Sequence, residues 1–184
     1  MSSLIERVGV LGYLAQNAPA RWVGRTALMK FCYFLQELRG ARLGYSFTLY
    51  SYGPFDSAVL SDLGEGEALG VLREEVISYP SGYGYQISCA VAPENLSELG
   101  GELLQNYQDE IDWIIREFGN YSAADLELAS TLVYADREAL SAEEEISIAE
   151  LSRRVHEVKP RFSNDQILHQ AESLERRNLL SAVA

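Results

Sequence analysis

The scarce reactive side chains of this 184-residue chain are two histidines, two cysteines and two lysines, and their spacing fits no catalytic or metal-binding pattern. His156 and His169 stand thirteen residues apart among charged neighbours, and Cys32 and Cys89 stand alone. The ligand spacings of zinc fingers and zincins are missing, so no metal site is expected. Gly44-Tyr45-Ser46 opens like a nucleophile elbow, but Thr48 occupies the place of the closing glycine and no histidine precedes His156 to act as base. Gly64-Glu65-Gly66 begins like a dinucleotide loop. There Leu69 replaces the third glycine, and two glutamates would repel phosphate. Carboxylate pairs such as Asp109/Asp112 are common on an acidic surface, and their number alone does not mark acid–base catalysis. The reading is a chain with no catalytic residues and no cofactor; an uncharacterised enzyme, which a deep pocket with convergent carboxylates would reveal, is kept as the third reading.

Two constellations remain. The first is aromatic: Tyr45, Tyr50, Tyr52 and Phe55, followed by Tyr79, Tyr83 and Tyr85, in a chain with eleven tyrosines. Exposed tyrosines suit protein interfaces, because one stiff side chain offers apolar area and a hydroxyl. Their alternation with polar residues is equally what a sheet packed on helices would show, and both readings stay open. The second is charge. Residues 93–146 carry fourteen acidic and two basic side chains, while the flanking segments are close to neutral, so the net charge of −12 sits in one central stretch. Such a field repels nucleic acid and attracts basic proteins; it is also what a solvated helix face looks like. The candidate partner-binding residues are therefore Tyr45, Tyr50, Tyr52, Phe55 and Asp56, with Glu110 and Glu117 for the acidic helices.

The elements that must position these residues read as α+β, mostly helical. Ser3 starts a first helix that ends at Asn17-Ala18-Pro19. A second runs from Arg25 to Leu38 and stops at Gly40, apolar around much of its circumference and so central in the core. A strand over Tyr45–Ser51 breaks at Gly53-Pro54, and Asp56 caps a short helix through Leu63. Gly64, Gly66 and Gly70 loosen the next segment. Leu72–Tyr79 and Tyr83–Val91 form two strands joined at Pro80-Ser81-Gly82, and with Tyr45–Ser51 they make one antiparallel sheet of three strands. Residues 93–146 supply acidic helices, including one around Leu104–Phe118 and one opening at Ser122. Ser147 and Ser163 cap the last two helices. The whole spans residues 1–184 as one compact domain: helices plus small sheet to residue 92, acidic helices to 146, and a helix-turn-helix-like tail from 147.

That tail carries a second reading. Ser147–Leu180 has the outline of a winged-helix reader, with Asn164–Arg177 as recognition helix and Arg153, Arg154, Arg161, Arg176 and Arg177 as phosphate contacts. Its net charge of about +1, beside a segment at −12, is poor for DNA binding. The two lone cysteines and the absence of any long apolar run predict a cytoplasmic protein that spans no membrane. Self-association stays open.

Tyr33-Phe34-Leu35-Gln36, then Gly44-Tyr45 through Tyr52-Gly53-Pro54-Phe55, then Leu60-Ser61-Asp62-Leu63 resemble the signature of the YwgA-like proteins and of the SocA-like or Panacea antitoxin domains. Ala129–Tyr134 and Lys159–Ser163 extend the likeness toward the YwgA-like branch. The resemblance implies a mostly helical fold with a small sheet and non-enzymatic work: direct binding of a protein partner such as a basic toxin, or a place in a phage-defence or regulatory operon. Where the antitoxin pattern has a Thr-His pair, this chain has Thr131-Leu132.

Overall fold

The computed structural model describes residues 2–79 and 82–183. Among the described residues, seven helices and two small two-stranded antiparallel sheets make the fold α+β and mostly helical. Two compact units emerge: Met1–Thr48 with Phe55–Ala123, and Leu49–Pro54 with Ala124–Ala184. The division falls after Ala123, at neither the 92/93 nor the 146/147 boundary, and it lends six residues of an early hairpin to the later unit.

In the first unit, α1 (Leu4–Asn17) begins on a full capping box, in which the Ser3 side chain accepts from Glu6 N and the Glu6 carboxylate accepts from Ser3 N. It crosses α4 (Pro93–Phe118) at glycines. A Cβ on Gly9 would sit 2.4 Å from Gly100 N, and one on Gly12 would sit 2.5 Å from a Leu96 methyl, so these backbones touch only because side chains are missing. Gly101 then takes φ +49 and ψ −138, a conformation glycine alone tolerates, and kinks α4. Helix α2 (Arg25–Arg39) buries Leu28 through Leu35 and ends on Gly40 in the left-handed conformation. Phe34 stacks on Phe118 at 4.2 Å between ring centres. The buried Lys30 lies on this helix too.

The strands differ from the single sheet the sequence predicts. Among the described residues β1 (Thr48–Tyr50) pairs with β2 (Gly53–Phe55) alone, and β3 (Leu72–Tyr79) with β4 (Gly82–Cys89) alone. The early strand is shorter than Tyr45–Ser51 because the Tyr45 backbone is bonded to the Gln36 side chain instead of a neighbouring strand. Leu72 and Ile87 are buried at the base of the β3–β4 hairpin, while Val76 and Tyr83 are exposed nearer its tip. The backbone of Val23 pairs with Ile87, and Arg25 salt-bridges Glu74 and stacks over Tyr85 at 3.6 Å. Pro80 and Ser81, where the turn is expected, lie outside the described residues. α3 (Ser57–Ala68) runs past Leu63 through Gly64 and Gly66, two of the three glycines expected to loosen the segment, while Gly70 makes the turn after it at φ +71. Gly66 is buried where a Cβ would lie 2.7 Å from a Leu72 methyl, so that glycine serves packing rather than flexibility.

In the second unit, α5 (Ala123–Ser141) is followed by α6 (Ile148–Val158) and α7 (Asn164–Arg176), which pack together through Leu151, Val155, Ile167, Ala171 and Leu174. Ser147 and Ser163 cap α6 and α7 as their sequence predicts, and Ser163 forms a full box with Gln166. Asp136 is fully buried on α5, accepts from Ser181 N and Ala182 N, and salt-bridges Arg137. These bonds draw the segment after α7 back toward α5, where Val183 makes one parallel bridge with Ile146. No hairpin wing follows α7 among the described residues.

Candidate functional site

Several residues of the Tyr33–Leu63 stretch fall into two polar clusters, one in each unit. In the first unit, Gln36 of α2 binds both polar groups of one residue: its Nε2 donates to Tyr45 O at 3.1 Å and its Oε1 accepts from Tyr45 N at 2.9 Å. Gly44, at φ +86, makes the turn that delivers Tyr45 there. The Tyr45 hydroxyl donates to Asp62 Oδ2 at 2.7 Å, and Asp62 also takes a forked pair of bonds from Arg7, Nε at 2.6 Å and Nη2 at 3.1 Å. A buried carboxylate needs such partners. Burial pushes the Tyr45 phenol well up, so it stays protonated and donating. Asp56 caps α3 through Ala58 N at 2.9 Å and accepts from Ser46 N at 2.6 Å. Tyr45 is 7% exposed. Tyr45 and Asp56 are thus packing and capping residues, and the expectation that Tyr45 meets a partner gives way to the core reading.

The second cluster is built under the tip of the β1–β2 hairpin, whose Leu49–Pro54 portion lies in the second unit. The two-residue connection Ser51-Tyr52 is followed by Gly53 at φ +88, and a Cβ there would sit 3.0 Å from Ser130 Oγ and 3.2 Å from Thr131 Oγ1. Glycine is required twice over, by conformation and by space. Lys159, 4% exposed at the end of α6, donates to Tyr50 O at 3.0 Å and to Ser51 O. Its third neighbour is Glu127 of α5, 2% exposed, with Oε1 at 3.3 Å from Nζ. That contact is an ion pair rather than a hydrogen bond, since Oε1 accepts no hydrogen bond among the described residues. Arg161 bonds the other oxygen of Glu127. A lysine ammonium has three protons to place, and three oxygens surround this one.

Held from beneath in this way, the tip presents Tyr50 and Tyr52 to solvent, each 66% exposed. The Arg161 guanidinium lies 5.8 Å from the Tyr52 ring and 4.7 Å from Phe162. Val158, also exposed, precedes Lys159. Phe55 is half-buried beyond the tip. Glu110 and Glu117 are half-buried on α4. The acidic segment is not one uniform face, because Glu127 and Asp136, two of its fourteen acids, are buried and bonded within the second unit.

The arginines suggested for DNA contact are largely committed. Arg153 pairs with Glu150 and Glu157, Arg154 with Glu144 and Glu150, Arg161 with Glu127, and Arg176 with Glu172 at 3.8 Å. Hydrogen bonds from Arg153 and Arg154 hold the Glu150 carboxyl down to about 2. Phosphate would have to displace these carboxylates. Cys32 is buried, and burial pushes its thiol well up, away from nucleophilic use. The described residues contain no group of three or more metal-ligating side chains placed to hold an ion. None of the described helices is long and apolar enough to cross a membrane.

Lys159 and Glu127 are the site residues that periodicity does not reveal, since they meet across 32 positions of sequence. A signal existed: the chain has two lysines, and both are buried. No family model and no curated protein matches the chain.

Proposed function

We propose that this chain is a non-enzymatic protein-binding module, antitoxin-like or a component of a phage-defence or regulatory operon, and that it docks a basic protein partner. The observation that carries the reading is the hairpin tip: two exposed tyrosines beside an arginine, on a turn pinned by a buried lysine. Tyrosine and arginine dominate binding hot spots, and a turn already fixed loses little freedom on docking. The net charge of −12 favours a basic partner through steering rather than through any one contact.

The test is capture from nuclease-treated lysate of the source cells with wild-type chain and with the Tyr50→Ala/Tyr52→Ala variant. One stoichiometric basic protein is expected, released at high salt, whose affinity falls by about tenfold or more in the variant, on the order of 2 kcal/mol for a hot-spot pair. Equal capture by both chains would remove the tip as the docking surface. Material held only before nuclease treatment would favour the DNA-binding regulator instead.

A further inference from the structure

A second surface lies in the first unit, and none of its lining residues belongs to that unit's polar cluster. A groove of about 630 Å³ is lined by Ile5 of α1, Leu69 and Val71 after α3, Val91 after β4, and Asn95, Glu98 and Leu99 of α4. Its floor continues a small buried cluster of Val8, Val71 and Leu96, against which Val91 and Leu99 pack. Two of its walls are large apolar side chains left in water: Ile5 is 40% exposed and Leu69 is 52% exposed. Single exposed leucines are ordinary, but two facing one apolar groove mark a contact surface.

The charge around the groove selects the occupant. Glu98 lines it, and Glu94 stands one turn earlier on α4. Glu65 stands one turn before Leu69 on α3. All three are exposed, and none takes part in an ion pair among the described residues. No basic residue occurs between Arg42 and Arg73 or between Arg73 and Arg116. Arg7, on α1, is committed to Asp62. An apolar trough with an acidic rim and no basic residue in its lining complements a segment with apolar residues on one face and lysine or arginine on the other. A second copy of this chain, with the same acidic excess, does not supply that complement.

We propose that the Ile5–Leu69–Leu99 groove docks an amphipathic basic segment of a protein partner. The inference rests on the reading of the chain as a protein-binding module and adds to it a second contact, independent of the tyrosine tip. Apolar residues of the segment fill the trough, and its cations sit over Glu65, Glu94 and Glu98.

The probe is a synthetic peptide with leucines at helical spacing and lysines elsewhere, titrated into the full chain and followed by methyl NMR. The controls are a scrambled peptide of the same composition and one with glutamate for lysine. Expected are shifts at Ile5, Leu69, Val71, Val91 and Leu99, and binding at least about tenfold weaker for both control peptides. The Glu94→Lys/Glu98→Lys variant, changed only at exposed positions, should weaken binding about tenfold, one 1.4 kcal/mol step. Two exposed changes of equal charge in the second unit, Glu143→Lys/Glu145→Lys, should have little effect. Leu69→Gln should weaken binding without altering the spectrum elsewhere. The proposal is overturned if the scrambled peptide binds equally, if the shifts fall outside the groove, if the two charge variants weaken binding alike, or if no peptide binds. The Tyr50→Ala/Tyr52→Ala chain should titrate like wild type here, so failure of the tip and failure of the groove are read separately.

Discussion

Lys159→Met should lower the stability of the chain by about 3–5 kcal/mol, the cost of breaking a buried ion pair from one side. The methionine keeps the apolar stem and removes the ammonium that Tyr50 O, Ser51 O and Glu127 share. Three losses coincide: two turn carbonyls lose a charged donor, and a carboxylate 2% exposed keeps only Arg161. Urea unfolding gives the magnitude, and amide exchange gives the location. Exchange at Leu49–Gly53 should accelerate most, while the β3–β4 ladder keeps its protection. Adding Glu127→Gln should recover part of the stability, because the stranded charge is gone, but should leave the turn fast, because its donor is still missing. Full recovery of both would mean that charge balance, not the bond to the turn, is what Lys159 provides. An unchanged exchange rate at the turn would contradict the latch outright.

Asp62→Ala is expected to cost about 3 kcal/mol, for a related reason. This carboxylate gathers α1, the Tyr45 turn and α3 through Arg7 and the Tyr45 hydroxyl. Removing it leaves a hydroxyl on a 7%-exposed tyrosine without its acceptor. Tyr45→Phe alone should cost about 1 kcal/mol, the ordinary worth of one such bond. In the double variant the two losses should fall short of adding by about 0.5 kcal/mol or more, since each removes the same bond. Strict additivity in urea unfolding would show that Tyr45 and Asp62 act separately.

These two clusters take up the polar and glycine positions of the Tyr33–Leu63 stretch that stand out in the sequence. Gln36, Gly44, Tyr45 and Asp62 form the first, and Gly53 sits in the second with Lys159. The caps at Ser3, Asp56, Ser147 and Ser163 were legible because a cap is local: a short polar side chain beside the first apolar turn is the whole signal. The end of α2 was legible at Gly40 for the same reason. Gly64 and Gly66 misled because glycine lowers helix propensity whether it serves a turn or a close contact, and for Gly66 only the position of Leu72 tells them apart. The single three-stranded sheet failed because alternation shows that a strand has two faces but not which strand it pairs with. Whether a tyrosine faced core or solvent was equally hidden. Tyr45 and Tyr50 sit five residues apart in similar sequence, yet a distant carboxylate claims one and leaves the other exposed. Lys159 and Glu127 required the fold itself, because no rule of spacing links a helix end to the first half of an earlier helix.

Hydrogen exchange, on the chain alone and on the complex with its captured partner, puts the tip itself to the test. Added protection is expected at Leu49–Gly53 and over the Lys159–Ser163 connection, and it should be lost when Tyr50 and Tyr52 are replaced by alanine. Protection confined to other parts of the chain, with the tip exchanging as it does alone, would contradict the assignment of the tip as the docking surface.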